Sequence, residues 1–305
     1  MPNLLQKVLD FDNLSQAWEK VGENNGIPGV DHISTSVWAR KWEERLIKLA
    51  ESVRNNTYEP SPLKTIHIKK QNRREYRKLR IPVISDRILH RAVLQVLYPI
   101  YEPQFLDCSF GYRPGRGLDD AVESILVIRT NGNGHVLDAD IDDFFNQIDQ
   151  TLLLEFLEED LSDHSLIQLI QRWLKMAQPS KEKEIGIAMG SPLSPLFANI
   201  FLHRLDKTVI NSMHFPMVRY ADDFLVFSQS EEEIRTAYYL IEKKLEELKL
   251  RYKPIKTQLT TFKEGFDFIG VHFEEDTYEY IWQNKRVEVS GNEIDALFGF
   301  YGPRY

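Results

Sequence analysis

The stretch that most constrains this chain is Tyr220-Ala221-Asp222-Asp223, two adjacent carboxylates between the apolar runs Phe215-Pro216-Met217-Val218 and Phe224-Leu225-Val226-Phe227. Short apolar runs on either side of a polar break read as a hairpin with the acids at its tip. Strand alternation sends neighbouring side chains to opposite faces, but a tight turn relaxes this, so at least one carboxylate can face a site shared with another acid. The expected partner is Asp140, which the strand pattern His135-Val136-Leu137-Asp138-Ala139-Asp140 delivers shortly before Phe144-Phe145. Two strand-borne carboxylates without His or Cys make an oxygen-rich site for a hard, octahedral ion such as Mg²⁺, not zinc. A lone Asp-Asp is more often a solvated turn; the flanking motifs set this one apart.

The formal net charge of -8 argues at first against a phosphate-rich partner. The distribution points the other way. Between residues 64 and 91, Lys64, Lys69, Lys70, Arg73, Arg74, Arg77, Lys78, Arg80, Arg87 and Arg91 face only Glu75 and Asp86, while the acidic excess lies in Glu155 to Asp163 and Glu231 to Glu247. A basic tract on an acidic chain suggests a defined phosphate track. With 42% hydrophobic residues over 305 positions, a sizeable core is available to one large domain or to two or three lobes. No apolar run reaches the roughly eighteen residues of a membrane span, the N-terminus lacks a secretory pattern, and the lone Cys108 rules out an internal disulfide. The expectation is a cytoplasmic protein with no membrane partner.

Along the chain, a short helix precedes a break at Gly26-Ile27-Pro28-Gly29, and Ser34 caps one amphipathic helix running to about Asn55. Leu63 to Pro82 reads as two strands around a basic turn, and Asp86 to Tyr101 as a helix. The loop Phe110-Gly111-Tyr112-Arg113-Pro114-Gly115-Arg116-Gly117 has the glycines that let backbone N–H groups approach a phosphate or a template strand. Helices follow at Leu118 to Thr130, over Leu152 to Met176, at Leu196 to Val209 and from Ser230 to about Arg251, the last with Ile234, Leu240, Ile241, Leu245 and Leu248 inward. A strand over Phe266 to Phe273 and a hairpin over Glu279 to Val289 close the reading. Two acid-bearing strands with helices behind suggest a βαββ arrangement.

The order of these pieces resembles the reverse transcriptases, most closely the bacterial lineage related to group II intron enzymes. The resemblance rests on Gly26 to Asp31, Leu79-Arg80-Ile81-Pro82 with Asp86-Arg87, Phe110 to Gly117, Asp140 to Phe145, Met189 to Asn199, the Tyr220 to Asp223 box, Lys256-Thr257 and Phe268-Ile269-Gly270. It implies an α+β fold, the fingers and palm of a right-hand polymerase, with an antiparallel palm sheet backed by helices and the thumb missing or minimal. Residues 1–118 would be fingers, 119–273 palm with interleaved fingers elements, and 274–305 a hairpin and tail.

The resemblance further implies an RNA-directed DNA polymerase that extends a primer on an RNA template with deoxynucleotides, using two Mg²⁺ ions, or Mn²⁺ in their place. Asp140, Asp222 and Asp223 would be catalytic and would hold the ions with the Ile141 carbonyl. Lys69, Lys70, Arg77, Met189, Gly190 and Lys256 would bind the nucleotide. Phe145 would exclude a 2′-hydroxyl, and Arg113, Arg116, Tyr220, Phe268 and Gly270 would meet template or primer. Met189 stands where the family usually has Gln, so a hydrogen-bond donor is replaced by a thioether. The short stretch after Phe273 points to a partner, such as a CRISPR integrase, supplying the thumb's function. Other readings are a template-independent or phage-defence polymerase of the same family, and a non-catalytic nucleic-acid scaffold.

Overall fold

The computed structural model describes residues 3–69, 76–178, 184–275 and 277–281. Helices α1 (Leu4–Val8) and α2 (Phe11–Glu23) each start on a side-chain cap, Asn3 accepting from Gln6 N–H and Asp10 from Asp12 N–H. Ser34 caps α3 (Thr35–Ala39) as its sequence position suggests, but the single helix expected to Asn55 is two, because Lys41 leaves helical geometry before α4 (Trp42–Arg54). No glycine or proline marks that break. Tertiary contacts accompany it: Trp38 packs on Trp18 with ring centroids 4.7 Å apart, and Trp42 stacks on Phe11.

Strands β1 (Lys64–Lys69) and β2 (Tyr76–Ile81) pair antiparallel, followed by α5 (Ile84–Tyr101), α6 (Leu118–Thr130), β3 (His135–Asp140) and the one-turn α7 (Phe144–Gln147). Two helices, α8 (Gln150–Asp160) and α9 (His164–Ala177), fill the stretch expected to hold one or two. Then come α10 (Ser194–Lys207), extended by a π turn over Thr208–Ser212, strands β4 (Met217–Tyr220) and β5 (Asp223–Ser228), and α11 (Glu231–Glu247). The chain ends its described part with β6 (Gln258–Thr261), β7 (Phe266–Phe268), β8 (Val271–Glu274) and β9 (Thr277–Tyr280). On α11 the inward set is Ile234, Ala237, Ile241 and Leu245, while Leu240 is exposed, one position off the apolar stripe. Phe266 to Phe273, expected as one strand, is a hairpin turning on Ile269 (φ 46°) and Gly270 (φ 82°) with Phe268 opposite Val271. The hairpin turn at 283–285 and the aromatic tail to 302 lie outside the described residues, as do Lys70, Arg73 and Arg74.

Contacts gather the chain into two compact units, Met1–Pro103 with Ile148–Phe197, and Gln104–Gln147 with Ala198–Tyr305. Residues 148–197 thus group with the N-terminal stretch, and 104–147 with the C-terminal one. Within the first unit, α5 is the central element. Its residues Ile84, Ile88, Leu89, Ala92 and Val93 are fully or almost fully buried, and α2 packs along it. Arg80, Arg87 and Arg91, counted above in the basic track, are buried as well. Arg87 donates to the carbonyls of Pro82 (2.8 Å) and Ile27, bracing the Gly26–Gly29 segment on α5. Those arginines are structural, and the candidate track contracts to the β1–β2 ribbon.

The second unit carries a four-stranded antiparallel sheet in the order β4-β5-β3-β6, with α6 against β4 and α11 against β3 and β5. A separate meander, β7-β8-β9, contributes Phe266, Phe268, Val271 and Phe273 to one core with Val136, Val218, Leu225 and Phe227. Deepest in this unit is an ion pair, Arg219 of β4 with Asp206 of α10, both at 0% exposure and bonded at 2.7 and 2.6 Å. Removing one partner of such a pair strands a charge. Asp206→Leu should lower the unfolding free energy by about 3–5 kcal/mol, and adding Arg219→Met should restore part of it. Urea unfolding followed by circular dichroism measures both; a single variant as stable as the parent would show that the charge is compensated elsewhere.

Candidate active site

The site grows from the ends of β3 and β5. Antiparallel register sets Asp140, the last residue of β3, directly opposite Asp223, the first of β5. Hairpin pairing of Tyr220 with Asp223 leaves Ala221 and Asp222 as a two-residue turn, with Ala221 in the left-handed region at φ 59°. Beyond Asp140, Ile141 faces Tyr252 in an isolated antiparallel bridge whose hydrogen bonds are made by its neighbours: Lys253 N–H to Asp140 O at 2.8 Å and Asp142 N–H to Arg251 O at 3.1 Å. In that pattern the Ile141 carbonyl points away from Tyr252, toward the side of the sheet where β5 lies.

Two cations attend these acids. The Lys256 ammonium donates to Asp140 Oδ2 and lies 3.8 Å from Asp223 Oδ1, and the Lys253 ammonium lies 4.0 Å from Asp140 Oδ1. Partial desolvation pushes the Asp223 carboxyl above the ordinary carboxylate range, and the charges of Asp222 and Asp140 push it further, with Lys256 pulling back. Lys256 loses water too, but its hydrogen bond to Asp140 and the charge of Asp223 outweigh that and hold its ammonium above the usual lysine range. Asp138 shares the Asp140 face of β3, is raised by burial, and accepts from Gln258 Nε2 at 3.0 Å. Sequence reading passed over Asp138 and Lys253. The signals were there, an i, i+2 acid pair on a strand and an i, i+3 lysine pair after α11.

Among the described residues no three acidic, His or Cys side chains stand close enough to form a ready-made metal cage. The donor chemistry nonetheless fits a hard divalent cation. Asp140 and Asp223 are carboxylates in cross-strand contact, and the Ile141 carbonyl points to their side.

Phe144 and Phe145 divide on a helical turn, one buried and one partly open. Asp143, at φ 46°, turns the chain into α7, so Phe144 packs toward Phe201 while Phe145 stays half-buried with its ring edge-on to Tyr112 at 6.4 Å.

The glycine loop makes one close approach to the protein itself. Gly111 packs against the acid-bearing turn so closely that a Cβ there would collide with the backbone of Ala221. Arg113, expected at the template, is buried and donates to the carbonyls of Leu106 and Ser109 at 2.8 Å each, bracing the loop from inside. Arg116 pairs with Asp107 and lies over the Phe110 ring. Phe268, expected at the primer, has its ring in the core, and Gly270 forms the β7–β8 turn; Tyr220 is half-buried at the end of β4. In the first unit, Lys69 and Arg77 occupy adjoining register positions of β1 and β2. The Met189 carbonyl accepts from Arg80 N–H at 2.9 Å, and Gly190, at φ 131°, would set a Cβ 2.7 Å from the Arg80 carbonyl, so only glycine fits.

Comparison with known proteins places this geometry in context. Residues 68–273 match the family described as "Reverse transcriptase (RNA-dependent DNA polymerase)". The group II intron-encoded protein LtrA of Lactococcus lactis subsp. cremoris is 35% identical over 172 residues, covering 55% of this chain and 28% of that protein. The chain thus spans little more than a quarter of that relative's length. Protein YkfC of Escherichia coli K12 is 26% identical over 285 residues, covering 80% of this chain and 74% of its own length. Among solved structures, apo telomerase from Candida tropicalis truncated from its C-terminal domain shares the fold at a TM-score of 0.54 and 13% identity, covering 82% of this chain and 61% of that one. A family match over two thirds of the sequence, falling on the strands that carry Asp140 and Asp223, establishes that this chain belongs to the reverse transcriptase family.

Proposed function

We propose that this chain is an RNA-directed DNA polymerase, joining deoxynucleotides to a primer 3′-hydroxyl along an RNA template. The observation that carries the reading is the Asp140–Asp223 cross-strand pair, two carboxylates held at the ends of adjacent strands with Lys256 and Lys253 beside them. Asp140, Asp223, Asp222 and the Ile141 carbonyl are the groups that would hold divalent ions, Mg²⁺ or Mn²⁺. Bound there, such ions lower the pKa of an attacking hydroxyl and neutralise a leaving pyrophosphate.

The protein's own groups do the rest. Lys256 sets positive charge beside Asp140 and Asp223 and offsets part of the repulsion between their carboxylates. The half-buried ring of Phe145, backed by Tyr112 and Phe144, offers a flat apolar surface against which a sugar bearing a 2′-hydroxyl loses packing. Lys69 and Arg77 on the β1–β2 ribbon, with Lys70, supply charge for a triphosphate, and the Met189–Gly190 loop presents backbone in place of the missing glutamine amide. RNA template and primer are the partners of this reading, and a reducing compartment suits the buried, unpaired Cys108.

Asp140→Asn and Asp223→Asn should each reduce single-turnover primer extension on an RNA template by about a thousandfold or more, with circular dichroism melts close to the parent's. A variant that keeps a tenth of the parent rate would remove its residue from the chemistry. Phe145→Ala should raise ribonucleotide incorporation relative to deoxynucleotide by about tenfold or more, because the truncated side chain frees the space of one ring. Competition between the two nucleotide sets on one primer reads the ratio, and an unchanged ratio in a folded variant would assign discrimination elsewhere.

A further inference from the structure

Both oxygens of the Asp140 carboxylate face an ammonium. Lys256 donates to Oδ2 and lies 3.8 Å from Asp223 Oδ1, while Lys253 lies 4.0 Å from Asp140 Oδ1. The Asp140 side chain is only 7% exposed. Few directions are left from which a cation can reach its oxygens, and the two ammonium groups take up part of them. A divalent ion binds carboxylate oxygens directly, at about 2.0–2.6 Å, through the lone pairs that an ammonium donor also uses. At that range the ion and an ammonium repel each other as well. At one carboxylate oxygen the two therefore compete.

Lys256 is placed to be the main competitor. It reaches both acids, whereas Lys253 stands at the 4.0 Å edge of ion-pair range from one. Its withdrawal needs no backbone movement. The turn is tied down by Lys253 N–H to the Asp140 carbonyl at 2.8 Å, and the Lys253 carbonyl accepts from Lys256 N–H at 3.0 Å and from Thr257 Oγ1 at 3.1 Å. The Lys256 side chain, in contrast, is 38% exposed, beside an Ile255 that is almost wholly in water. A flexible four-carbon stem at such a rim swings its ammonium between carboxylate and water by rotamer changes alone.

On the polymerase reading of this site, we propose that Lys256 is a resident counter-ion of the Asp140–Asp223 pair that a divalent cation must displace. Its ammonium holds the two carboxylates together at the strand ends and leaves them as the ion arrives. Lys256 thereby stabilises the acid pair and weakens its grip on the ion, with Lys253 doing less of both.

Mn²⁺ titrated into the whole chain without nucleic acid, at mildly alkaline pH, tests the exchange, with the free ion counted by its electron paramagnetic resonance signal. Lys256→Met keeps the stem and removes the charge, so it should tighten Mn²⁺ binding by about fivefold or more. Lys256→Gln should do the same should the first variant fail to fold. Lys256→Arg retains the charge and should bind the ion no tighter than the parent, and Lys253→Met should gain less than Lys256→Met. Adding Asp140→Asn to Lys256→Met should abolish the tightened binding. A second readout is thermal: in EDTA Lys256→Met should melt below the parent, and Mn²⁺ should raise its Tm by the larger increment. The exchange is overturned if the neutral variants bind Mn²⁺ no tighter than the parent, if Lys256→Arg tightens it as much, or if the gain survives Asp140→Asn. Mn²⁺ binding that needs Asp140 and ignores Lys256 would overturn the exchange and leave the polymerase reading standing. A parent chain that fails to extend a primer while showing the exchange would overturn that reading alone.

Discussion

Arg219 lies in the middle of β4 with no solvent exposure, and each of its five side-chain N–H groups has an acceptor. Nε and Nη2 take the two carboxylate oxygens of Asp206, Nη1 takes Asn199 Oδ1 and the Ala221 carbonyl at 3.0 Å each, and Nη2 also reaches Ser109 Oγ at 2.8 Å. Taking an ion out of water costs several kcal/mol, so such a group persists only when its geometry is nearly complete. Burial disfavours the charged guanidinium, but Asp206 more than offsets it and holds the group above its ordinary range. The acceptors come from α10, from the loop before α6 and from the acid-bearing turn. The backbone of Arg219 ties the same loop again, donating to Cys108 O at 2.7 Å and accepting from Phe110 N–H at 2.9 Å. One side chain therefore sets where three segments meet.

The turn it holds is strained. Ala221 sits in the left-handed region, which costs an L-residue roughly 1–2 kcal/mol, and the strain falls on the residue just before the Asp222-Asp223 pair. Two constraints make that conformation the required one. Arg219 Nη1 fixes the Ala221 carbonyl, and Asn199 donates to Gly111 O at 3.0 Å, pressing a glycine against the turn where no Cβ has room. Strain of this kind persists where the surroundings over-determine it, and it concentrates at functional sites.

What the sequence made legible follows from which forces are local. Leu118 to Thr130 is helical over the expected residues because its apolar spacing and the carboxyl of Asp120, which accepts from Gly117 N–H, agree. Asp140 and the Asp222-Asp223 hairpin were readable because period-two patterning locates strand ends. Arg219 was not, since a charged residue inside an apolar strand reveals nothing of the acid waiting on another helix. The same blindness counted Arg80, Arg87 and Arg91 as surface charge, when Arg87 is consumed by backbone carbonyls. Phe268-Ile269-Gly270 read as continuous strand because Ile is a strong strand former, yet Ile269 adopts a positive φ that only the tertiary packing of Phe268 and Val271 on either side enforces.

The charge balance of the acid cluster depends on one short turn of backbone. Two unit charges about 4 Å apart interact by about 1 kcal/mol in water and about 4 kcal/mol near a protein surface, so acids crowded at two strand ends need cations fixed nearby. Both come from one turn, Lys253 to Lys256, whose last three residues form a 3₁₀ helix opened by Pro254. Lys253, the extended residue that precedes this helix, and Lys256, its last residue, both reach Asp140, while Ile255 between them is 96% exposed. The backbone bonds that lay residues 251 to 253 along Asp140 to Asp142 fix the turn's position, with Lys253 N–H donating to the Asp140 carbonyl at 2.8 Å. One turn anchored on the acid-bearing strand thus brings both charges to the same carboxylate.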